Sequence, residues 1–331
     1  MKLFDDSVMV REAKKAKFQA HPALQVFIFA VVFFMASSIA AIPAAVVLVV
    51  ELFSGESVLV TWMENVNIRS FAGDELSGLV TDLMNSLPAS YLLATLFGTG
   101  ITTILVIIYC RFIEKRSLSS MGFMKKNAVI RYIVGYLLGI LFIAVAVGIC
   151  VLTGAYSFDG VSSTLSIGLL LLFFFGFLLQ GMSEEVLLRS YLMISLKNKT
   201  PIVAAIMINS VLFALLHIFN AGITPLSFLN LILFGVFASV FTLVTDNIWG
   251  ICALHSAWNF TQGNLFGIEV SGSNVFTTVF SVTPNKDMVL LHGGSFGLEG
   301  GLVVTVLLLL GIGVLLGVKK GKKKETAEIF A

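Results

Sequence analysis

Residues 164–196 read TLSIGLLLLFFFGFLLQGMSEEVLLRSYLMISL, and any fold for this chain must resolve the conflict inside them. The first half is almost wholly apolar, and the stretch as a whole exceeds the roughly 20 helical residues, at about 1.5 Å each, that cross about 30 Å of hydrocarbon. The second half sets Glu184, Glu185 and Arg189 into the same helix. A charged side chain at membrane depth costs roughly 2.5–3.5 kcal/mol on insertion scales, so such groups face a bundle interior and carry function by default. One helix has no interior, so the stretch predicts a bundle.

The rest of the chain supplies it. Charged residues make up 12 % of the sequence and hydrophobic ones 57 %, against about 25 % and 45–50 % in soluble domains, and mean hydropathy is +0.98. Apolar stretches near 24–50, 90–112, 129–153, 164–196, 201–219, 225–245, 247–267 and 300–318 give an all-α, polytopic transmembrane bundle of about eight spans. Some twenty polar and basic residues precede the first stretch, which is far longer than a signal-peptide core, so it is expected to be retained.

With both termini cytoplasmic, all Lys and Arg except Arg69 and Lys286 fall on the inner side or nearest to it, the pattern of a multi-pass protein of the cell membrane. The external segments 53–88 and 268–299 carry Glu56, Glu64, Asp74, Glu75, Asp82, Glu269, Asp287 and Glu299 and read as solvated acidic loops. Residues 1–124 form an N-terminal region with two spans, 125–267 a core, and 268–331 a loop, a last span and a basic tail, KKGKKK from Lys319, that serves as a stop-transfer anchor beside the lipid bilayer. Gly135 with Gly139 and Gly313 with Gly317 are expected to pack helices within the bundle. Cys110, Cys150 and Cys252 sit in apolar stretches and read as free, buried thiols. Neither a phosphate-binding glycine loop nor a nucleic-acid-type basic domain is present, so no nucleic acid is expected as a partner.

The polar residues inside the spans fall into three groups. Glu185 and Arg189 are four apart with the acid first, the favourable helical ion-pair order, whereas Glu184 lies about 100° round the helix and is free to face a cavity. In VLFALLHIFN, Phe213 and His217 are four apart, with Asn209 one turn earlier; in ICALHSAWNF, His255 and Asn259 are four apart. If 164–196 and 201–219 form a hairpin near Asn198 to Thr200, Glu184 and His217 come to nearly the same depth. Two carboxylates, two imidazoles and an amide suit hydrolysis by an activated water, with donors for the oxyanion. Ser183 and Ser256 adjoin these groups but have no base placed to activate them.

The ordered set E-E-x-x-x-R, F-x-x-x-H and H-x-x-x-N resembles the CAAX-protease and bacteriocin-processing (Abi) family of intramembrane proteases, related to the Ras-converting CAAX endopeptidase, over roughly 125–265. The resemblance implies that Glu184 and His217 bind and activate the attacking water, that His255 and Asn259 form the oxyanion site, and that Glu185, Arg189 and Phe213 support them. It implies an endopeptidase acting on membrane-presented or lipidated tails or on peptide precursors. Members have been called metalloproteases; a zinc here would take Glu184, His217 and His255. With no H-E-x-x-H spacing present, and a glutamate–histidine pair sufficient to activate water, catalysis without cofactor or metal is the expectation. The alternative is a non-proteolytic bacteriocin-immunity or scaffold protein of the same fold; a proton-coupled transporter would show an internal repeat or paired broken helices, and neither is visible.

Overall fold

A computed structural model of the chain describes Phe4, residues 7–53 and residues 87–329, with side chains as far as Gly321. The acidic residues expected in the first external loop, Glu56 to Asp82, lie outside the described residues, as do the tail side chains beyond Gly321.

Among the described residues eleven α-helices of six residues or more and one two-stranded antiparallel sheet carry the fold. They are α1 (Val8–Ala13), α2 (Pro22–Ala40), α3 (Ile42–Phe53), α4 (Ala89–Gly98), α5 (Gly100–Ile108), α6 (Ala128–Leu152), α7 (Ile167–Glu185), α8 (Ile202–Leu215), α9 (Pro225–Thr245), α10 (Trp249–Phe260) and α11 (Leu302–Ile329). The antiparallel strands β1 (Tyr156–Val161) and β2 (Phe280–Pro284) pair with Tyr156 opposite Pro284. Among the described residues six helical spans are long and apolar enough to cross a membrane: Pro22–Phe53, Ala89–Ile113, Ala128–Leu152, Ile167–Lys197, Pro225–Thr245 and Leu302–Gly321. The chain is a multi-pass membrane protein, and its spans turn Phe27, Phe34, Leu137, Leu152, Leu310 and Val314 outward.

Two of the eight expected spans are shorter than the sequence reading gave them. The stretch 201–219 is helical only over Ile202–Leu215, and 247–267 is α-helical over Trp249–Phe260 before passing into a π-helical turn, Thr261–Leu265. Gly250 to Asn259 are all buried, so α10 meets protein on every side and owes no length to the bilayer. Glycine makes this enclosure feasible. A Cβ on Gly135 of α6 would stand 2.0 Å from the Gly250 carbonyl oxygen, one on Gly139 2.4 Å from that of Leu254, and one on Gly181 of α7 2.5 Å from Ser256 Oγ. The first G-x-x-x-G therefore packs within the bundle as expected. The second does not, because Gly313 and Gly317 of α11 meet nothing within 4 Å.

The first two spans are broken helices, which corrects the expectation that no paired broken helices are present. Pro43 has no N–H to extend α2 into α3, and the second break falls at Thr99 between Gly98 and Gly100. The breaks meet: a Cβ on Gly98 would stand 2.1 Å from the Ala40 carbonyl oxygen. Segments that the charge pattern assigns to one side gather at one end. Asp246, in the left-handed conformation that stops α9 (φ 51°), accepts from Ser7 Oγ at 2.6 Å and Val8 N at 2.7 Å, Lys17 N donates to Glu114 O at 3.0 Å and Ile248 N to Gly122 O at 3.0 Å.

At the other end, 268–299 is not the solvated loop expected from its acids. Ile268, Val270, Thr277, His292, Phe296 and Leu298 are buried, and β2 ties the segment to β1. His292 is 2 % exposed, holds the Asn285 carbonyl oxygen at 3.0 Å and lies against Tyr156. Tight turns fold the segment back: Gly297, at φ 90°, would drive a Cβ to 1.9 Å from the Glu269 carbonyl oxygen. The main core takes in residues from Phe4 to Leu308, a second, smaller cluster gathers Leu93, Leu96, Phe173, Phe177 and Val270, and the three cysteines are free and buried in the protein.

Replacing Gly135 with Val forces apart the α6–α10 crossing and is expected to cost about 1–3 kcal/mol or more, read as a fall in Tm of the detergent-solubilised protein. Gly313→Val meets open space and leaves Tm unchanged.

Candidate active site

Adjacent residues on a helix point about 100° apart, and at the end of α7 this divides two carboxylates between two environments. Glu185 is 0 % exposed, while the Glu184 side chain retains 24 % exposure. Immediately after Glu185 the helix widens into a π-helical run, Val186–Met193, a form concentrated at functional sites. Arg189 still donates Nη1 to Glu185 Oε1 at 2.9 Å, with both side chains fully buried.

The same oxygen, Glu185 Oε1, lies 2.8 Å from His255 Nδ1 on α10. With Nδ1–H donating to this carboxylate, His255 presents Nε2 toward Glu184, whose Oε2 is 3.8 Å away. That gap is too long for a direct hydrogen bond. Arg189 also lies over the Phe213 ring, its Cζ 4.9 Å from the centroid, and the Phe213 ring lies tilted against that of His217 with centroids 4.7 Å apart. The aromatic residue of F-x-x-x-H thus covers the buried guanidinium on one side and supports an imidazole on the other.

His217 lies in the turn beyond α8, which ends at Leu215, yet its ring stays beside that of Phe213. His217 N donates to Ala214 O at 3.1 Å, three residues back, which frees the Phe213 carbonyl oxygen; His217 Nδ1 takes that place at 2.9 Å. Asn209, one turn earlier on the same face, does not line the cavity but donates to Ser239 Oγ on α9 at 2.9 Å. Close packing explains it: α9 approaches this turn so nearly that a Cβ on Gly235 would stand 2.7 Å from Ser210 Cα.

Asn259 donates Nδ2 to Gln180 Oε1 at 2.8 Å, and Gln180 donates Nε2 to Glu184 Oε1 at 2.5 Å. Gln180 therefore links H-x-x-x-N to the first glutamate, and the sequence reading missed it. The signal was present, a polar residue one turn before Glu184 at membrane depth. Phe234 of α9 was also missed; its ring stands 4.9 Å from that of His255 and 5.4 Å from that of Trp258. The hydroxyls of Ser183 and Ser256 donate to carbonyl oxygens of their own helices, Gln180 O and Cys252 O, each at 2.8 Å.

Glu184, His217, His255 and Asn259 line one cavity of about 340 Å³. Apolar groups, Phe173, Phe177, Leu187 and Leu216 among them, make up much of its wall, and Ala40, Thr95 and Thr99 bring in the broken helices of the first two spans. Asn220, Asn230, Ser271 and Glu299 line it as well, none of them expected at the site from the sequence. Glu299 Oε2 accepts from Ser271 N and Oγ, both at 2.7 Å. Burial pushes its carboxyl above the ordinary value, and the two Ser271 donors oppose that rise. Among the described residues no three His, Cys, Asp or Glu side chains are grouped to hold a metal ion.

Residues 166–261 match the family model described as type II CAAX prenyl endopeptidase Rce1-like. The resemblance carried by the three motifs holds over that range, which includes Glu184, Glu185, Arg189, Phe213, His217, His255 and Asn259. The match supports CAAX-type intramembrane protease activity in general terms. Neither a curated protein nor a solved structure matches the chain.

Arg189→Met leaves Glu185 buried without its cation and is expected to cost about 3–5 kcal/mol, measured by denaturation in detergent. Adding Glu185→Gln to that variant recovers much of the loss, because the uncompensated charge is then gone.

Proposed function

We propose that this protein is an intramembrane endopeptidase that hydrolyses a peptide bond of a membrane-presented protein tail or peptide precursor, lipidated tails included. The observation that carries the reading is the pairing of Glu184 and His255 across 3.8 Å on a cavity that also receives His217 and Asn259. A gap too long for direct contact between two polar groups suits one bridging water.

In this reading Glu184 is the general base. Gln180 fixes one carboxylate oxygen, leaving the other to take a proton from the water as its oxygen bonds to the substrate carbonyl carbon. His255, held by Glu185, aims its Nε2 at the same water, and His217 lines the wall beside them. Asn259 has a second amide hydrogen beyond the one given to Gln180, available to the developing oxyanion. When the tetrahedral adduct collapses, Glu184 returns the proton to the leaving amine, so the water is divided between a new acid and a new amine. Every step uses the chain's own residues. The end of the bundle that gathers the Lys- and Arg-rich segments faces the cytoplasm in this reading.

The test is cleavage of membrane-presented peptides, lipidated C-terminal ones included, by the reconstituted protein. Glu184→Ala is expected to lower kcat about 10²–10⁴-fold, the worth of a positioned acid–base group, and His217→Ala to lower it as well. Wild-type activity should survive a zinc chelator. Full activity in both variants would remove these residues from the chemistry.

A further inference from the structure

The cavity is lopsided in charge. Of its described lining residues two are carboxylates, Glu184 and Glu299, and none is Lys or Arg. The cation close by, Arg189, is fully buried and engaged with Glu185 and the face of Phe213.

Carboxylates that serve structure in this protein have a different setting. Glu114 is 2 % exposed and meets Arg116 at 3.0 Å with Gln25 and Ser195, and Glu185 has Arg189. Glu299 has no Lys or Arg beside it among the described residues; the basic groups that act on it are the imidazoles of His217 and His255 across the cavity. It is nevertheless held firmly: Asn230 Nδ2 takes its carbonyl oxygen at 2.8 Å, Ser271 takes Oε2 twice, and Asn220 Nδ2 fixes the Ser271 carbonyl oxygen at 2.8 Å. Both Ser271 donors use the same carboxylate oxygen, and the other has no donor among the described residues.

We propose that Glu299 is a specificity-determining residue that receives a Lys or Arg side chain of the peptide held in the cavity. The proposal rests on the endopeptidase reading above and gives its substrate a chemical class: a sequence with a basic residue near the bond that is cut. Desolvation makes an unpaired carboxylate costly, and an incoming cation offsets that cost. A Lys or Arg brings several N–H donors and no acceptor, and the cavity has a second acceptor to offer. Asn259 is 4 % exposed, lines the same space, and its Oδ1 has no hydrogen-bond partner among the described residues. The long aliphatic stem of either side chain suits the apolar wall between. A substrate acid at this position would meet like charge.

The experiment uses the full chain in lipid nanodiscs and lipid-anchored Ala/Leu/Gly peptides carrying Lys, Gln or Glu at each position in turn. Binding is read in a Glu184→Gln background and cleavage in the protein with Glu184 intact. At one register the Lys peptide should bind about tenfold or more tighter than its Gln analogue, the scale of one charge-assisted hydrogen bond, with the Glu analogue weakest. Glu299→Gln keeps an oxygen for Ser271 and should bring the Lys/Gln ratio near one. Equal binding of Lys and Gln peptides with Glu299 intact, or a preference that survives Glu299→Gln, overturns the proposal. Should that variant not fold, Glu299→Asp decides: a lower ratio supports the assignment and an unchanged one overturns it. A Lys preference in binding with no cleavage of any peptide would leave the cation site standing and remove the endopeptidase reading.

Discussion

One carboxylate oxygen holds the centre of this protein together. Glu185 Oε1 accepts from Arg189 within its own helix and from His255 on α10, and Arg189 in turn rests on Phe213 of α8. In a medium without water a lone charge is very costly, and a charge pair is tolerated only with good geometry and its remaining donors satisfied or covered. Once Glu185 is buried, α7, α8 and α10 must therefore meet at a common depth. The position of the site follows from this electrostatic requirement. His255 gains its orientation from it, with the proton on Nδ1 and Nε2 left for the cavity.

Meeting at that depth is sterically demanding, and the glycines answer the demand. Gly135 and Gly139 let α6 approach one side of α10, and Gly181 lets α7 approach the other. With α10 enclosed, its polar residues never face lipid, and the six longer spans take on the contact with hydrocarbon. The first two spans, outside the family match, still shape the cavity, because their breaks at Pro43 and Thr99 carry Ala40, Thr95 and Thr99 to its wall. Broken helices are tolerable at membrane depth where they line a cavity instead of lipid.

Much of this was legible in the sequence because the bilayer imposes simple arithmetic. Length and apolar content located the spans, and the cost of charge at depth singled out Glu184, Glu185 and Arg189. That Glu185 pairs with Arg189 while Glu184 faces a cavity followed from helical geometry alone. What escaped was structure that periodicity does not encode. His217 lies beyond the end of α8, because a helix end depends on which carbonyls find partners, here Phe213 O. That Asn209 would be taken up by α9 escaped as well, because sharing a face with Phe213 says nothing about where α9 crosses. The cover over 268–299 was hidden for a related reason: an acidic, glycine-containing loop reads as solvated whether water or Gln262 and Ser271 satisfies its polar groups.

Adjacent residues Glu184 and Glu185 illustrate how environment, and not residue type, assigns chemistry. Glu185 is neutralised by an arginine and locked by an imidazole, so little remains for it to do but orient. Glu184 is held by a neutral amide that fixes its position without cancelling its charge. That is what a proton acceptor needs, since an ion pair at the same distance would lower its basicity. Gln180 therefore suits its place better than Lys or Arg would. The link from Asn259 through Gln180 to Glu184 couples the group proposed to stabilise the oxyanion with the group proposed to activate water. A shift of α10 against α7 would disturb both at once, which makes the glycine-mediated packing of those two helices a condition of the chemistry as much as of the fold.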